Sequence, residues 1–264
     1  MMFYDFEYDG INLSNKGFII CKFDSGGIET VSNGSNITFN TVSTRNGAKH
    51  ELVSSVYEEC LTTTFQICKH PCLTKRKDIS IVELRDIMRW LNRKEFYKLK
   101  FIHDEYMNIF FEASFNVKKI EYCGKVYGLE LEVITNKPYA LHEPIYHTIK
   151  NEMANGKKSI SNVSDEDGYI YPKMEIEISE DGDFELFNAF ENRTMRILNC
   201  KAGEIINIDY PIIESSNQLH KIQNDFNWKF FRISKSINKR VNDLIISIPC
   251  IIKLKYCPVV KIGF

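Results

Sequence analysis

The sequence predicts a mainly β protein that contains one strong helix. Apolar and polar residues alternate with a period of two in short runs, which is the pattern of strands that bury one face. Clusters of Gly, Asn and Asp separate these runs, as expected for the turns between strands. No repeat of fixed period runs along the 264 residues, so solenoid and propeller architectures are excluded.

The first half of the chain carries the clearest strands and the helix. A capping box formed by Ser80 and Glu83, followed by apolar residues at helical spacing, predicts a helix over residues 80–91. Another strand, Phe96 to Phe101, comes next, and we expect the helix to pack on the sheet. The other strands are predicted around Ile19, Cys21 and Phe23; Leu61, Thr63, Phe65 and Ile67; Phe111, Ala113, Phe115 and Val117; and Leu129, Leu131 and Val133.

A stretch rich in Gly, Ser, Asn and Thr lies between Asp24 and Ala48. Its composition disfavours both a helix and a buried strand, so we predict a long excursion from the domain. Two interpretations stay open. The stretch is either an arm that wraps a neighbouring subunit or a surface loop.

The composition changes at NKPYALHEPIYH, which begins at Asn136. Its two prolines favour an extended linker, because the residue before a proline is restricted to extended conformations. We therefore predict an N-terminal domain over residues 1–135 and a C-terminal domain over residues 136–264.

The C-terminal half is predicted to be a β-sandwich or jelly roll. Its first hairpin is expected to run from the strand around Ile176, through the SEDGD turn, into the strand around Phe184. The further strands are predicted at Ile206, Ile208 and Tyr210; at Phe231 and Ile233; at Leu244, Ile246 and Ile248; and at Ile252, Leu254 and Tyr256.

Charge and composition exclude several classes of partner. The chain has 34 basic and 35 acidic side chains, and this balance lacks the broad positive field of a nucleic-acid-binding protein. No apolar run is long enough to span a membrane, and the start MMFYDFEYDG does not have the pattern of a signal peptide. We expect a protein made and folded in a cytoplasm, with its eight cysteines reduced.

No residue is assigned a catalytic, cofactor-binding or metal-binding role from the sequence. Phosphate-loop, dinucleotide and nucleophile-elbow patterns are absent. Cys68, His70 and Cys72 in CKHPC are the tightest set of metal-ligand types, but no fourth ligand is close in the sequence. Single histidines without a role are His103, His142, His147 and His220.

Acidic clusters raise the alternative of a glycosidase, which uses two carboxylates that flank a sugar bond. The SDEDG and SEDGD clusters are more typical of solvated turns. Aromatic residues such as Tyr171 or Trp228 would stack on a sugar if they were exposed, although aromatics in a sandwich mostly belong to the core. The acids of the two clusters and the strand that follows are Asp165, Glu166, Asp167, Asp181, Asp183 and Glu185.

The order of elements after LTTTFQICK resembles the distal tail protein family of siphophages. In that family a strand, a helix ending in Trp-Leu, a Lys-Leu-x-Phe strand and another strand follow one another. Two further stretches, Asn136 to Leu141 and Gly203 to Asp209, are also similar, as is the terminal IIKLKYCPV. The matching positions are Arg89, Trp90 and Leu91; Lys98, Leu99, Lys100 and Phe101; and Asp104.

This resemblance implies a split β-barrel-like N-terminal domain that forms a hexameric ring and continues the tail tube. It also implies a galectin-like β-sandwich that projects outward, with a last strand near 257–264 that returns to the first domain. The implied partners are other copies of the chain, the major tail tube protein, a tail-associated lysin or tip protein, and a receptor-binding protein. The implied location is the virion tail tip of a phage or prophage, with DNA passing through the lumen.

The resemblance carries no catalytic, cofactor-binding or metal-binding residue to this chain, and it does not locate the subunit contacts. A second hypothesis is a carbohydrate-binding adhesin whose C-terminal sandwich holds a glycan of the host surface. A galectin-like fold alone does not establish sugar binding, because one fold hosts many functions.

Overall fold

The structure is a computed structural model that describes residues 4–23, 34–43, 50–73 and 76–263. The predicted mainly β class is confirmed. The chain divides into two compact units: Met1–His142 with Val260–Phe264 form the first, and Glu143–Val259 form the second. Within the described residues, no helix is long and apolar enough to cross a membrane.

The first unit is built on an antiparallel sheet and one long helix. Two short 3₁₀ helices, Ser14–Lys16 and Asp104–Tyr106, lie between its strands. The helix α1 is Ile81–Leu91. The strands are β1 (Asp5–Tyr8), β2 (Ile11–Asn12), β3 (Phe18–Cys21), β4 (Ile37–Ser43), β5 (His50–Tyr57), β6 (Thr62–Lys69), β7 (Tyr97–Ile102), β8 (Ile109–Tyr122), β9 (Lys125–Thr135) and β10 (Ala140–His142).

The second unit contains a short helix, α2 (Ile222–Asp225), and most of the remaining strands. They are β11 (Ile145–Asn151), β12 (Gly156–Ser161), β13 (Gly168–Ile170), β14 (Lys173–Ile178), β15 (Gly182–Asn188), β16 (Arg193–Cys200), β17 (Ile205–Asp209), β18 (Ile212–Ser215), β19 (Ile233–Lys235), β20 (Val241–Ile246) and β21 (Cys250–Tyr256). The terminal strand β22 (Val259–Val260) is part of the sheet of the first unit.

The main sheet of the first unit is open. Its strand order is β2-β1-β7-β8-β9-β6-β3, and β10 pairs with β8 and with β22. The expected split-barrel-like domain is therefore an open sheet and not a closed barrel, since no pairing joins β2 to β3 in the described part of the chain. Alternation in β6, β8 and β9 places one face of each strand in the core, as predicted from the sequence.

The predicted helix is confirmed, including its cap. The Ser80 Oγ accepts the Glu83 N–H at 3.4 Å, and the Glu83 carboxylate accepts the Ser80 N–H at 2.8 Å. Trp90 stacks on Phe6 with ring centroids 5.8 Å apart, and its indole N–H donates to the Tyr8 carbonyl at 3.1 Å. These contacts join the C-terminal end of α1 to the sheet.

Strands β4 and β5 form a separate two-stranded sheet. We call these residues, 37–43 and 50–57, the hairpin arm. Strand β4 lies within the stretch that the sequence predicts to be an excursion, and β5 follows that stretch. Residues 24–33 and 44–49 lie outside the described residues.

The second unit is a β-sandwich. One sheet has the order β11-β21-β14-β17-β18, and the other has the order β12-β20-β15-β16. Apolar side chains from both sheets form one buried core. It includes Ile176 and Leu254 from the first sheet and Phe184, Leu186 and Leu244 from the second.

The hairpin predicted around the SEDGD turn is wrong. Strand β14 pairs with β17 and β21, whereas β15 pairs with β16 and β20, so the turn crosses from one sheet to the other. Ile176 and Phe184 therefore face the same core from opposite sides. Alternation identifies the buried face of a strand, but it carries no information on which strand lies beside it.

The stretch NKPYALHEPIYH, predicted to be an extended linker, contains the boundary between the two units but also parts of two strands. Leu141 of β10 pairs with Phe110 of β8, and β11 begins at Ile145, so half of the residues in this stretch are in strands. Pro138 lies just before β10, and Pro144 lies just before β11. The extended backbone that proline imposes suits the start of a strand as well as a linker.

Replacement of Ser80 by Ala removes the side-chain acceptor of the cap, and we expect it to lower the free energy of unfolding of the first unit by about 1 kcal/mol. Chemical denaturation followed by far-ultraviolet circular dichroism measures this change. The exposed Ser159→Ala in the second unit is the matched control. An unchanged stability of Ser80→Ala would contradict the capping role.

Candidate functional site

The hairpin arm exposes apolar side chains to an unusual degree. Phe39 is 61% exposed and Val53 is 65% exposed. The other large apolar residues of the arm that are exposed are Ile37, Val42, Leu52 and Val56. Large exposed apolar patches mark interaction sites, because monomeric proteins rarely leave them uncovered.

These side chains lie on both faces of the arm. Phe39 is opposite Ser55 and Val56 is opposite Thr38, so the alternation of the strands places Phe39 and Val56 on opposite faces. A register shift between Asn40 and Thr41 interrupts the ladder. An isolated two-stranded hairpin is at best marginally stable in water, so this arm needs a surface that covers it.

The base of the arm is anchored in the first unit. Tyr57 meets Tyr139 edge to face with ring centroids 6.3 Å apart, and the Glu58 N–H donates to the Asn36 carbonyl at 3.0 Å. A cavity of about 170 Å³ lies beside this contact and is also lined by Ile262. The arm is therefore fixed at its base, while its strands are exposed.

The outward face of the main sheet is polar, and its charges are paired. The Lys118 ammonium contacts Glu130 at 3.2 Å, and Lys137 contacts Glu112 on the same sheet. Burial raises the pKa of Glu112, but hydrogen bonds from Lys137 and Asn136 outweigh this effect and hold it below its ordinary value. Pairing of this kind leaves no strong field of one sign on these strands.

A buried polar cluster in the second unit is the nearest arrangement to an active site. The His220 Nδ1 lies 2.5 Å from Glu204, and its Nε2 lies 3.3 Å from Asp225. The side chains of His220 and Glu204 are almost fully buried. The Ser215 hydroxyl donates to the same Glu204 oxygen at 2.5 Å.

This arrangement is not a catalytic triad, because the Ser215 hydroxyl contacts the carboxylate and not the imidazole. A nucleophilic serine requires the imidazole as its base. The cluster joins the turn before β17 to β18 and to α2, so its role is structural. Burial raises the pKa of Glu204, but hydrogen bonds from Ser215, His220 and the Lys201 amide outweigh burial and hold this pKa below its ordinary value.

The CKHPC segment does not form a metal centre. The His70 Nδ1 accepts the Cys72 N–H at 3.2 Å, while Cys68 faces Cys21 on the neighbouring strand. Among the residues that the structure describes, no three His, Cys, Asp or Glu side chains lie close enough together to hold a metal ion. Burial and the neighbouring Cys68 raise the pKa of the Cys21 thiol to about 12, which keeps it protonated and unreactive.

The acidic residues of the glycosidase hypothesis serve as partners within turns and strands. Asp181 pairs with Lys201 at 3.0 Å, and Asp183 accepts the Asn199 N–H at 2.9 Å. The other paired acids are Glu185, which contacts Arg196, and Asp167, which contacts Lys235. These contacts give the acids structural partners and favour the interpretation as turns.

A shallow groove of about 520 Å³ lies on the outer face of the sandwich sheet that contains β14. Tyr146 is at its edge, and Lys253 pairs with Glu175 across it at 2.7 Å. Lys173 and Asp209 form a second ion pair in the groove. Because its charged side chains pair with one another, the groove offers few free groups to a ligand.

The comparisons with known proteins identify the class of protein. A family model described as the phage tail protein N-terminal domain matches residues 1–137, and one described as the phage tail C-terminal domain matches residues 139–256. The chain therefore belongs to this family of phage tail proteins. A comparison with curated protein sequences finds no match.

The chain also resembles a solved tail-tip protein. It matches the crystal structure of the Dit protein (gp 19.1) of SPP1 with a TM-score of 0.62 and 9% sequence identity, over 97% of this chain and 99% of that one. That structure is described as a paradigm of the hub adsorption apparatus in phages that infect Gram-positive bacteria. The resemblance to the distal tail proteins is thus confirmed at the level of the fold.

Sequence reasoning missed two features of these surfaces. The apolar residues of the arm could have been found in the sequence, because Phe39 and Val42 interrupt the polar stretch and the partly apolar segment HELVSSVY follows it. The cluster of His220, Glu204 and Asp225 had none. Its members come from separate elements, and nothing in their spacing indicates that they meet.

Replacement of Glu204 by Gln tests the polar cluster. The pKa of Glu204 is lowered in the folded state. The stabilisation that results is fully present above the pKa of Glu204 in the unfolded chain, and it is lost as the pH falls through the pKa of the folded state. We expect Glu204→Gln to lower the free energy of unfolding by about 3 kcal/mol at neutral pH. Between about pH 5 and pH 3, this free energy should fall less in the variant than in the wild type.

Urea denaturation over this pH range, followed by the fluorescence of Trp228 in the second unit, measures the effect. The exposed Glu180→Gln is the matched control. Equal stability of Glu204→Gln and Glu180→Gln at neutral pH would disprove the structural role of the cluster.

Proposed function

We propose that this phage tail protein forms a ring, most simply a hexamer, at the tail tip, and that the ring joins the tail tube to the apparatus that adheres to the host. The observation that carries the proposal is the hairpin arm with apolar side chains on both faces. A neighbouring copy of the first unit supplies the surface that covers it.

The free energy of covering one arm favours a closed assembly over a single arm contact between two subunits. Each of the six half-exposed apolar side chains of the arm contributes about 1 kcal/mol when covered, so one arm contributes on the order of 6 kcal/mol. Association of two proteins costs at least about 4 kcal/mol, and often more, in lost freedom of motion. A single arm contact is therefore weak. In a closed ring each subunit makes two such contacts, once as donor and once as acceptor.

The composition of the arm also suits an interface. Strand β4 contains no charged residue, and β5 contains one, Glu51, beside His50. Charged residues are depleted at the centres of interfaces, because their desolvation opposes binding. A heterologous contact of this kind, in which the arm meets a different surface of the next subunit, generates a ring when the rotation closes.

The proposed roles follow the two domains predicted from the sequence. Residues 1–135 form the ring, and the galectin-like sandwich over residues 136–264 projects outward, towards a receptor-binding protein. The ring contacts the major tail tube protein on one side and a tail-associated lysin or tip protein on the other. Paired charges, as on the outward face of the main sheet, would let DNA pass through a lumen without being held.

The proposal assigns a structural role and no cofactor. It places the protein at the virion tail tip after synthesis in the cytoplasm of the host bacterium. The hub adsorption apparatus named for the SPP1 protein supports this location through the shared fold.

Phe39→Glu combined with Val56→Glu tests the arm. Because it places a charge on each face, we expect the double variant to remain monomeric at concentrations at which the wild-type chain has about six times the monomer mass. Multi-angle light scattering measures both masses. Val82→Glu, on the exposed side of α1, adds the same charge outside the arm and should leave the assembly intact.

Two outcomes would overturn the proposal. One is a wild-type chain that stays monomeric both alone and when mixed with tail tubes. The other is a double variant that assembles as well as the wild type.

A further inference from the structure

Five aromatic rings form a continuous strip on the second unit. We call Tyr169, Tyr171, Tyr210, Phe230 and Trp228 the aromatic strip. Tyr171 stacks on Tyr210 with centroids 4.0 Å apart and planes 5° apart, and Tyr169 meets Tyr171 at 5.4 Å. Phe230 lies 5.2 Å from Tyr210 and 6.3 Å from Trp228. The rings come from segments that are distant in the chain, so the fold assembles the strip.

The strip is exposed although it is aromatic. Tyr169, Tyr210 and Trp228 each have slightly more than half of their surface exposed. Phe230 is buried and backs the strip from the core. An aromatic residue of a sandwich ordinarily belongs to the core, so three exposed rings that are linked through Tyr171 and Phe230 need another explanation.

The exposed rings are held in fixed positions. The indole N–H of Trp228 donates to the Gln223 carbonyl at 3.2 Å, and the ring lies 5.6 Å from Phe226. The backbone of Trp228 has φ of 56°, in the left-handed region that a bulky residue rarely adopts. The fold thus accepts an unfavourable backbone conformation at a residue whose ring is presented to solvent.

The other end of the strip is fixed by charge. The Arg232 guanidinium lies 4.0 Å from the centroid of Tyr169, and its Nε contacts Glu191 at 2.5 Å. The Ser234 hydroxyl donates to the same carboxylate. Because Arg232 and Glu191 neutralise each other, this end of the strip carries no net charge.

We infer that the aromatic strip binds a neutral oligosaccharide. The apolar C–H face of a sugar ring packs on an aromatic face, while the tyrosine hydroxyls of the strip satisfy the sugar hydroxyls. Rings that are fixed before binding lose little freedom when they bind, and this compensates for a small contact.

The area of the strip favours an oligosaccharide over a protein. Three rings that are about half exposed offer roughly 300 Å², because a fully covered aromatic side chain buries about 150–250 Å². A protein partner of standard size covers about 800 Å² on each side. The strip is large enough for two or three sugar rings.

Tryptophan fluorescence provides a specific readout of binding. The chain has two tryptophans, and Trp90 is buried in the first unit whereas Trp228 is exposed in the strip. We expect maltotriose, cellotriose or N,N′,N″-triacetylchitotriose to protect Trp228 of the full chain from acrylamide quenching, with a dissociation constant in the millimolar range or below. Sialyllactose, which is charged, should protect it less.

Variants locate the site. Tyr210→Ala and Tyr169→Ala should each weaken binding by about tenfold or more. Tyr146→Ala, which removes an exposed aromatic that is not part of the strip, should leave binding unchanged. An unchanged urea midpoint of the second unit shows that each variant is folded.

Several results would overturn the inference. The first is that none of the three neutral trisaccharides protects Trp228 and that an array of neutral glycans gives no signal. The second is that Tyr146→Ala loses binding while Tyr210→Ala keeps it. The third is that the strip binds another tail protein and no glycan. Saccharide binding is measured whether or not the chain assembles, so its failure is distinct from failure of the proposed ring.

Discussion

The arrangement of this protein depends on one constraint: a two-stranded ribbon with apolar side chains on both faces is not stable alone in water. A strand in the main sheet satisfies its backbone groups through its neighbours and buries one face against α1 or the rest of the core. The hairpin arm has neither a third strand nor a covering layer among the described residues. Its stability has to come from contact with another molecule.

The cores of the two units are built from different kinds of side chain. In the first unit, aromatic residues dominate the junction of helix and sheet, where Phe6 and Tyr8 each contact both Trp90 and Phe115. In the second unit, mostly aliphatic side chains fill the space between two sheets. The exposed apolar residues of the arm, and the exposed rings of Tyr169, Tyr210 and Trp228, are not part of either core.

Local patterns were sufficient to predict the helix and most strands. The capping box at Ser80 and the apolar spacing up to Leu91 depend on residues a few positions apart. Such local patterns do not depend on which distant segments pack against the helix. Pairing partners depend on residues far apart in the chain. The prediction therefore failed at the SEDGD turn, where two amphipathic strands face one core from opposite sheets.

The candidate surfaces were harder to predict than the fold. Trp228 and Tyr171 were noted as aromatics that would stack on a sugar if exposed, but the sequence does not state which aromatics reach the surface. The stretch between Asp24 and Ala48 was correctly predicted to avoid a buried strand over its described residues. That β4 is nevertheless a strand, and an apolar one, depends on its pairing with β5, which the composition of the stretch does not reveal.

Electron microscopy of the assembled protein, at a resolution that traces the chain, tests the central claim most directly. The account predicts a sixfold ring around an open hole, in which Phe39 and Val56 of every subunit are covered by the adjacent subunit. A ring in which the arms stay uncovered, or particles without rotational symmetry, would contradict it.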